Sequence, residues 1–261
     1  MEPNLKIVPR TQIVPIMESN ADRADYLTTA FAEAGHIFNP LLAIKAVDDI
    51  YLLTDDGSYL DALKRLSVDF IPVQVASVPN PPVMTGHVFL GKWDDNCFRE
   101  FQRIFPRDAQ IMADDSADPK DRVYARTKFG EGIALGSSRR ASGTLVDFIA
   151  YLRQKAAIVR PNARNRAVTD QKTGLAIVEM EFGNIGLRDV LKLGQSGFRF
   201  PSGFCRAECP CRVLGINYPI KVLKEKASVE DKQTFLHELI MLRMESGRAE
   251  SFNGGVLLLN Y

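Results

Sequence analysis

Asp55, Asp56, Gly57 and Ser58 form the segment of this chain whose residue types are best suited to chemistry. A glycine directly after an aspartate lets the backbone bend sharply and pass close to another group. Tyr59, Ala62, Leu63 and Leu66 follow at i, i+3, i+4 and i+7, so the bend opens into a helix with one apolar face. Amides at the start of a helix have no partner within it and can hold an anion, a phosphate above all. The same Asp-Gly pair also marks a tight turn, with Ser58 as a natural N-cap, so a structural reading stands beside the binding one.

Other reactive side chains carry less. Cys205, Cys209 and Cys211 are close together, but C-x3-C-x-C is no common zinc spacing, has no histidine nearby and is interrupted by Pro210. Reduced thiols, with no metal, are expected. The small basic loop from Gly136 to Gly143 could hold an anion and equally reads as a surface loop. His237, beside Leu236 on a predicted helix, reads as a satisfied surface or core residue.

The elements that must position the bend can be read from periodicity. Leu5 to Val8 is a strand candidate ended by Pro9, and a second apolar step at Ile13 to Ile16 runs into Met17 and Glu18. Tyr26, Leu27, Ala30, Phe31 and Ala34 recur at three- and four-residue steps, predicting a helix from Asp22 to Ala34 closed by Gly35. Leu41–Ile44 and Ile50–Leu53 suit a hairpin, and Phe70 to Val75 a strand that tolerates Pro72 at a sheet edge. The polar stretch 106–121 has the composition of a linker. Beyond it the sequence predicts a helix from Thr144 to Arg153, strands at Leu175–Met180 and Arg212–Asn217, a long helix capped by Ser228, and a last strand at Val256–Leu259. The fold class expected is α/β, with a mixed sheet of the α+β kind, divided into an N-terminal domain over 1–105 and a smaller α/β domain over 106–261.

With 261 residues, 46% hydrophobic and 25% charged, the chain can bury a sizeable core. The 33 basic and 32 acidic side chains nearly cancel, which argues against nucleic acid or an anionic membrane as partner. The opening MEPNLKIVPR has no apolar signal core and no stretch suits a membrane span, so a cytoplasmic location is the expectation.

Three segments together carry a resemblance. DDGSYLDALKRLSVDFIPVQV (55–75) resembles the core of ParB/sulfiredoxin-like domains. LKIVPRTQIVPIME (5–18) is similar to the opening of that superfamily's free-serine kinases, and FRFPSGFCRAECPCRVLGINYPI (198–220) resembles a C-terminal segment of the siderophore-cluster serine-kinase type. This resemblance implies a ParB/sulfiredoxin-like N-terminal nucleotide-binding domain, with a C-terminal domain completing a substrate cleft. It implies a kinase that makes O-phosphoserine from free serine with ATP or ADP and Mg2+, feeding a specialised amino-acid or siderophore-type pathway. By likeness, Glu18 orients the serine hydroxyl as base and Asp56 binds substrate or metal. Gly57, Ser58 and Tyr59 hold the nucleotide, Trp93 walls the substrate pocket, and Arg206 neutralises phosphate charge. The partners implied are a small amino acid and a nucleotide, with a homodimer as the assembly to test for.

The chain departs from the family at the bend itself. Asp-Gly-x-His-Arg is usual there, whereas Asp56-Gly57-Ser58-Tyr59-Leu60 stands here, so a phosphate-gripping guanidinium is missing. Either another arginine, Arg206 first, supplies the charge, or the protein is a catalytically altered ligand-binding or regulatory relative. DNA binding of the ParB kind is disfavoured by the near-neutral charge and the lack of a recognisable helix-turn-helix region.

Overall fold

The computed structural model describes residues 4–77, 187–204, 209, 211–252 and 255–259. It also describes the strand backbones 83–91, 109–112, 123–126, 132–135, 157–159 and 178–186, and helical residues 103, 146, 149, 150, 153 and 154. The chain forms two compact units: residues 1–79, 194–199 and 207–261 make the first, and 80–193 with 200–206 the second. Position 105, where the linker composition suggested a boundary, falls inside the second unit, and the C-terminal residues belong to the first. The reason is apolar burial: the strands and helices after residue 211 close the core that the N-terminal residues leave open.

In the first unit, strands β1 (Leu5–Pro9), β2 (Ile13–Pro15), β4 (Leu41–Lys45), β5 (Tyr51–Leu53) and β6 (Phe70–Ala76) form one sheet in the order β1-β6-β4-β5-β2. It is mixed, because β6/β4 and β2/β5 are parallel while β1/β6 and β4/β5 are antiparallel. The expected hairpin is therefore present as β4/β5. The expectation that Pro72 requires an edge strand is corrected, since β6 lies between β1 and β4. Pro72 stands opposite Ile7, whose own N–H turns outward to Gln233 Oε1 at 2.8 Å, and the ladder to β4 begins one residue later at Leu41–Val73. The missing donor thus costs no ladder bond.

A short strand β3 (His36–Ile37) pairs with β14 (Tyr218–Pro219), and β13 (Arg212–Leu214), β16 (Val256–Leu259) and β15 (Ala249–Phe252) form a three-stranded sheet. Helix α1 (Ala21–Ala34) begins where the Asn20 side chain accepts the Arg23 amide at 2.8 Å. It ends at Gly35, whose φ of 72° only glycine adopts freely. Helix α2 spans Gly57–Arg65. Its N-cap is Asp56 rather than the expected Ser58, because the helix starts two residues earlier and the Asp56 carboxylate takes the Ser58 amide at 2.9 Å.

The second unit carries an antiparallel six-stranded sheet, β11-β7-β12-β9-β10-β8. Its strands are β7 (Val83–Gly91), β8 (Ala109–Met112), β9 (Val123–Arg126), β10 (Gly132–Leu135), β11 (Ala157–Val159) and β12 (Val178–Gly186), the last running into α3 (Leu187–Gln195). Within the presumed linker 106–121, residues 109–112 are therefore strand. The basic stretch 160–172 lies outside the described residues.

Ile7, Phe31, Leu53, Leu63 and Val73 share one buried cluster with Val213, Ile216, Tyr218, Leu236 and Leu259. The polar groups that must enter this core are matched one by one. Helix α5 (Val229–Glu245) opens with the predicted Ser228 cap, made reciprocal by Asp231. From it Lys232, fully buried, donates to Val222 O at 3.1 Å and Glu225 O at 2.8 Å, closing the C-terminal end of α4 (Ile220–Lys224). Its ammonium also stands 5.2 Å from the Phe70 ring centre.

Gly215 shows how tightly β13 and β16 are joined. Its φ is 72°, its amide donates to Asn39 Oδ1 at 2.8 Å, and a Cβ there would overlap the Leu259 carbonyl oxygen. Gly215→Ala should therefore lower the unfolding free energy by at least about 1–3 kcal/mol. An unchanged urea midpoint would contradict the packing described.

Candidate functional site

Two strand-to-helix connections meet in the first unit. One runs from β2 through Glu18, Ser19 and Asn20 into α1; the other runs from β5 through Thr54, Asp55 and Asp56 into α2. The Gly57 amide donates to Glu18 O at 3.3 Å. The buried Ser58 hydroxyl accepts the Asn20 amide at 2.8 Å and donates to Asn20 O at 3.2 Å. A Cβ on Gly57 would lie 3.1 Å from Met17 O and 3.3 Å from Ser19 Cβ, so glycine is needed for the close approach of these two backbones.

Two of the amides expected to face a phosphate are thus taken up inside the protein, Gly57 N by Glu18 O and Ser58 N by Asp56 Oδ1. The other Asp56 oxygen meets Arg23 Nε at 3.0 Å. Tyr59 turns into the core beside the Phe31 ring, 4.8 Å between centres, and its hydroxyl donates to Asn39 O at 2.9 Å. Burial raises the Tyr59 phenol further above its ordinary value. Glu18 is half-buried where the two connections meet. Trp93 and Arg206 lie outside the described residues, as does Cys205.

Sequence reasoning did not single out the opposite side of the same bend. The Asp55 carboxylate accepts the Leu42 amide at 2.7 Å and lies 3.3 Å from Arg212 Nη2. Arg212 Nη2 also donates to Pro40 O at 2.9 Å, and Nη1 to Gln74 Oε1 at 3.3 Å. Gln74, almost fully buried, accepts the Val213 amide at 2.9 Å through Oε1 and donates through Nε2 to Cys211 O. Adjacent aspartates are therefore held from opposite directions, Asp56 by Arg23 on α1 and Asp55 by Arg212 on β13. Nothing in sequence spacing could have paired Asp55 with a residue 157 positions away.

The cysteines sit at the margin of this network. Cys209 Sγ donates to Cys211 O at 3.3 Å, and burial pushes its thiol up. Both are free thiols, and among the described residues no cluster of three or more His, Cys, Asp or Glu side chains could hold a metal ion.

No family model matches the sequence, and comparison with curated proteins found no match. Solved structures do match. SbnI from Staphylococcus aureus, with a C-terminal truncation, superposes with a TM-score of 0.67 at 16% identity, covering 92% of this chain and 97% of that one. The chain has the fold of SbnI and the free serine kinases. A free serine kinase in complex with AMP matches with a TM-score of 0.53 at 14% identity, over 85% of this chain and 95% of that one. The same kinase fold bound to ADP, in a variant lacking one glutamate, matches at 0.52 with equal coverage. The fold to which the sequence resemblance pointed is the fold found. In its setting the mixed sheet β1-β6-β4-β5-β2 carries both connections of the candidate site.

Burial raises the Asp55 carboxyl above its ordinary value of 3.8, against the pull of Arg212 and the Leu42 amide, and Asp56 adds to the rise. A carboxyl whose value is raised on folding binds its proton more tightly in the native state, so its contribution to stability improves as pH falls from the raised value toward 3.8. Asp55→Asn should remove that dependence. Thermal melts between about pH 4 and 7 should show wild type losing ground to the variant as pH rises; a difference that moves the other way would contradict the burial argument.

Proposed function

We propose that this protein is a kinase that phosphorylates free L-serine, or a similar small amino acid, to O-phosphoserine with ATP or ADP as donor. The reading is carried by one observation: the Glu18 segment is hydrogen-bonded to the Asp56–Ser58 bend in a fold shared with free serine kinases solved with AMP and ADP.

Phosphoryl transfer asks the protein for position and charge more than for covalent chemistry. In this reading Glu18 accepts a hydrogen bond from the serine hydroxyl and takes its proton as the oxygen attacks the terminal phosphorus and the bond to the bridging oxygen breaks, releasing ADP from ATP or AMP from ADP. The backbone carbonyl of Glu18 is tied to Gly57, which supports this reading. Asp56, engaged by the Ser58 amide and by Arg23, orients the bend and adds negative charge beside it. Gly57 and Ser58 keep the two connections in register, Tyr59 anchors the helix start, and phosphate contacts come from other donors, with Arg206 the arginine suggested by resemblance. Trp93 is assigned by resemblance alone to the wall that would exclude competing water.

The described carboxylates do not form an all-protein metal cage. Mg2+ is commonly held by one or two carboxylates together with substrate phosphates and water. Asp56 is the carboxylate that the resemblance gives to substrate or metal, and Mg2+ held there would neutralise phosphate charge. Among the described residues no helix is long and apolar enough to cross a membrane. The product would supply a specialised amino-acid or siderophore-type pathway, in the cytoplasm, from a monomer or homodimer.

A second reading has its own support. The usual His-Arg pair is replaced by Tyr59 and Leu60, and both bend amides and both Asp56 oxygens already have protein partners. These observations favour a relative that binds ligand and has lost the transfer step.

The purified full chain incubated with Mg2+, serine and either ATP or ADP is expected to form O-phosphoserine, detected by mass spectrometry. Glu18→Gln should lower turnover by about 100-fold or more. Full activity in that variant would remove the proposed base, whereas nucleotide binding without any product would select the second reading.

A further inference from the structure

Glu18 and Arg23 flank the start of α1, and each is tied to one of two consecutive residues of the bend. Glu18 O accepts the Gly57 amide at 3.3 Å, and the Arg23 guanidinium meets Asp56 Oδ2 through Nε at 3.0 Å. Neighbouring Cα atoms lie about 3.8 Å apart, so the anchoring points of the proposed base and of this guanidinium are one residue apart. That is the scale of a small hydroxy amino acid, in which two carbons separate the hydroxyl oxygen from the carboxylate.

Arg23 touches Asp56 on its Nε side, and no described residue accepts a hydrogen bond from Nη1 or Nη2. The end edge of the guanidinium therefore keeps two parallel N–H groups, one from each nitrogen, and such an edge matches the two oxygens of a carboxylate. The side chain is 55% exposed, so a ligand can reach it. Asp56 complements it. Each of its oxygens has one protein partner, the Ser58 amide or Arg23, whereas an ionised carboxylate has about four lone-pair sites, so capacity remains to accept from an ammonium.

A cation with open donors thus stands beside an anion with open acceptors. The pair is neutral as a whole, which suits a zwitterion and gives little attraction to a polyphosphate. We infer that the Arg23–Asp56 pair binds the acceptor amino acid as a zwitterion, Arg23 taking its α-carboxylate and Asp56 its α-ammonium. The inference rests on the amino-acid kinase reading above. Of the two roles that resemblance leaves to Asp56, substrate or metal, it takes the first, and it adds the group that selects an α-amino acid.

Initial rates of the full chain with L-serine and with L-serinamide, whose carboxylate is a neutral amide, test it. Wild type should favour serine by about 10–100-fold in kcat/KM, the weight of a charge-assisted contact. Arg23→Gln should reduce that preference to within about 3-fold, chiefly by raising the KM for serine. Arg23→Lys, which keeps the charge without the fork and carries the test if the glutamine variant does not fold, should retain part of it. Thermal melts check that each variant is folded. Loss of the Asp56 contact alone would slow both substrates alike, so an unchanged preference in a folded variant would overturn the inference. A rise in the nucleotide KM with serine recognition intact would overturn it too, by moving Arg23 to the phosphates. If wild type uses serine and serinamide equally, the inference fails and the kinase reading survives. If no phosphoserine forms, calorimetric titration with the two compounds reads the same preference: serine favoured by wild type and not by Arg23→Gln keeps the inference without the kinase, and binding of neither ends both.

Discussion

The hydroxyl of Ser58 holds together everything proposed for this protein. It is buried between the starts of two helices and satisfies both backbone polar groups of Asn20, the residue that itself caps α1. Had that hydroxyl been missing, the part-buried Asn20 amide would lose its partner, while the Asn20 carbonyl would keep the Ala24 amide at 2.9 Å. The Gly57 amide adds a second tie, to Glu18 O, and the absence of a side chain at Gly57 lets the strands of backbone come close enough to make it. The position of Glu18 is therefore set by α2 as much as by the strand that precedes it.

The electrostatics follow from that geometry. Consecutive residues leaving a strand point to opposite sides, so Asp55 and Asp56 meet different neighbours. One, its side chain 35% exposed, finds Arg212 and the Leu42 amide; the other, 18% exposed, caps a helix and pairs with a more exposed arginine. Burial dominates for Asp55, whose carboxyl is raised despite its cationic partner. A half-buried ion pair of this kind adds little to stability.

Much of this was legible in the sequence, and the failures have physical causes. The apolar periodicity of α1 and α2, the Asp-Gly bend, the Ser228 cap and the final strand are local signals, and each element appears where the pattern placed it. The N-cap of α2 was assigned two residues late because Asp56 and Ser58 are both good caps, and only the helix start decides between them. Pro72 looked like an edge residue because a sequence cannot show that Ile7 turns its own amide outward to Gln233. Arg212 was passed over because its partners Pro40, Asp55 and Gln74 are brought to it by folding and not by spacing. Asn20 could have been found, since an asparagine just ahead of an amphipathic run is a capping signal.

The path of the chain through its first unit has a consequence for how the protein is made. Residues 1–79 supply the sheet and the bend, yet their core also needs Val213, Tyr218, Leu236 and Leu259. On the ribosome those N-terminal strands emerge long before the segment that covers them. They must wait, with apolar surface uncovered, while more than a hundred intervening residues are translated, and contacts of such long range are slow to form. A nascent chain of this design keeps part of its core uncovered until β16 has been made, so the order of its strands sets how long aggregation can compete with folding.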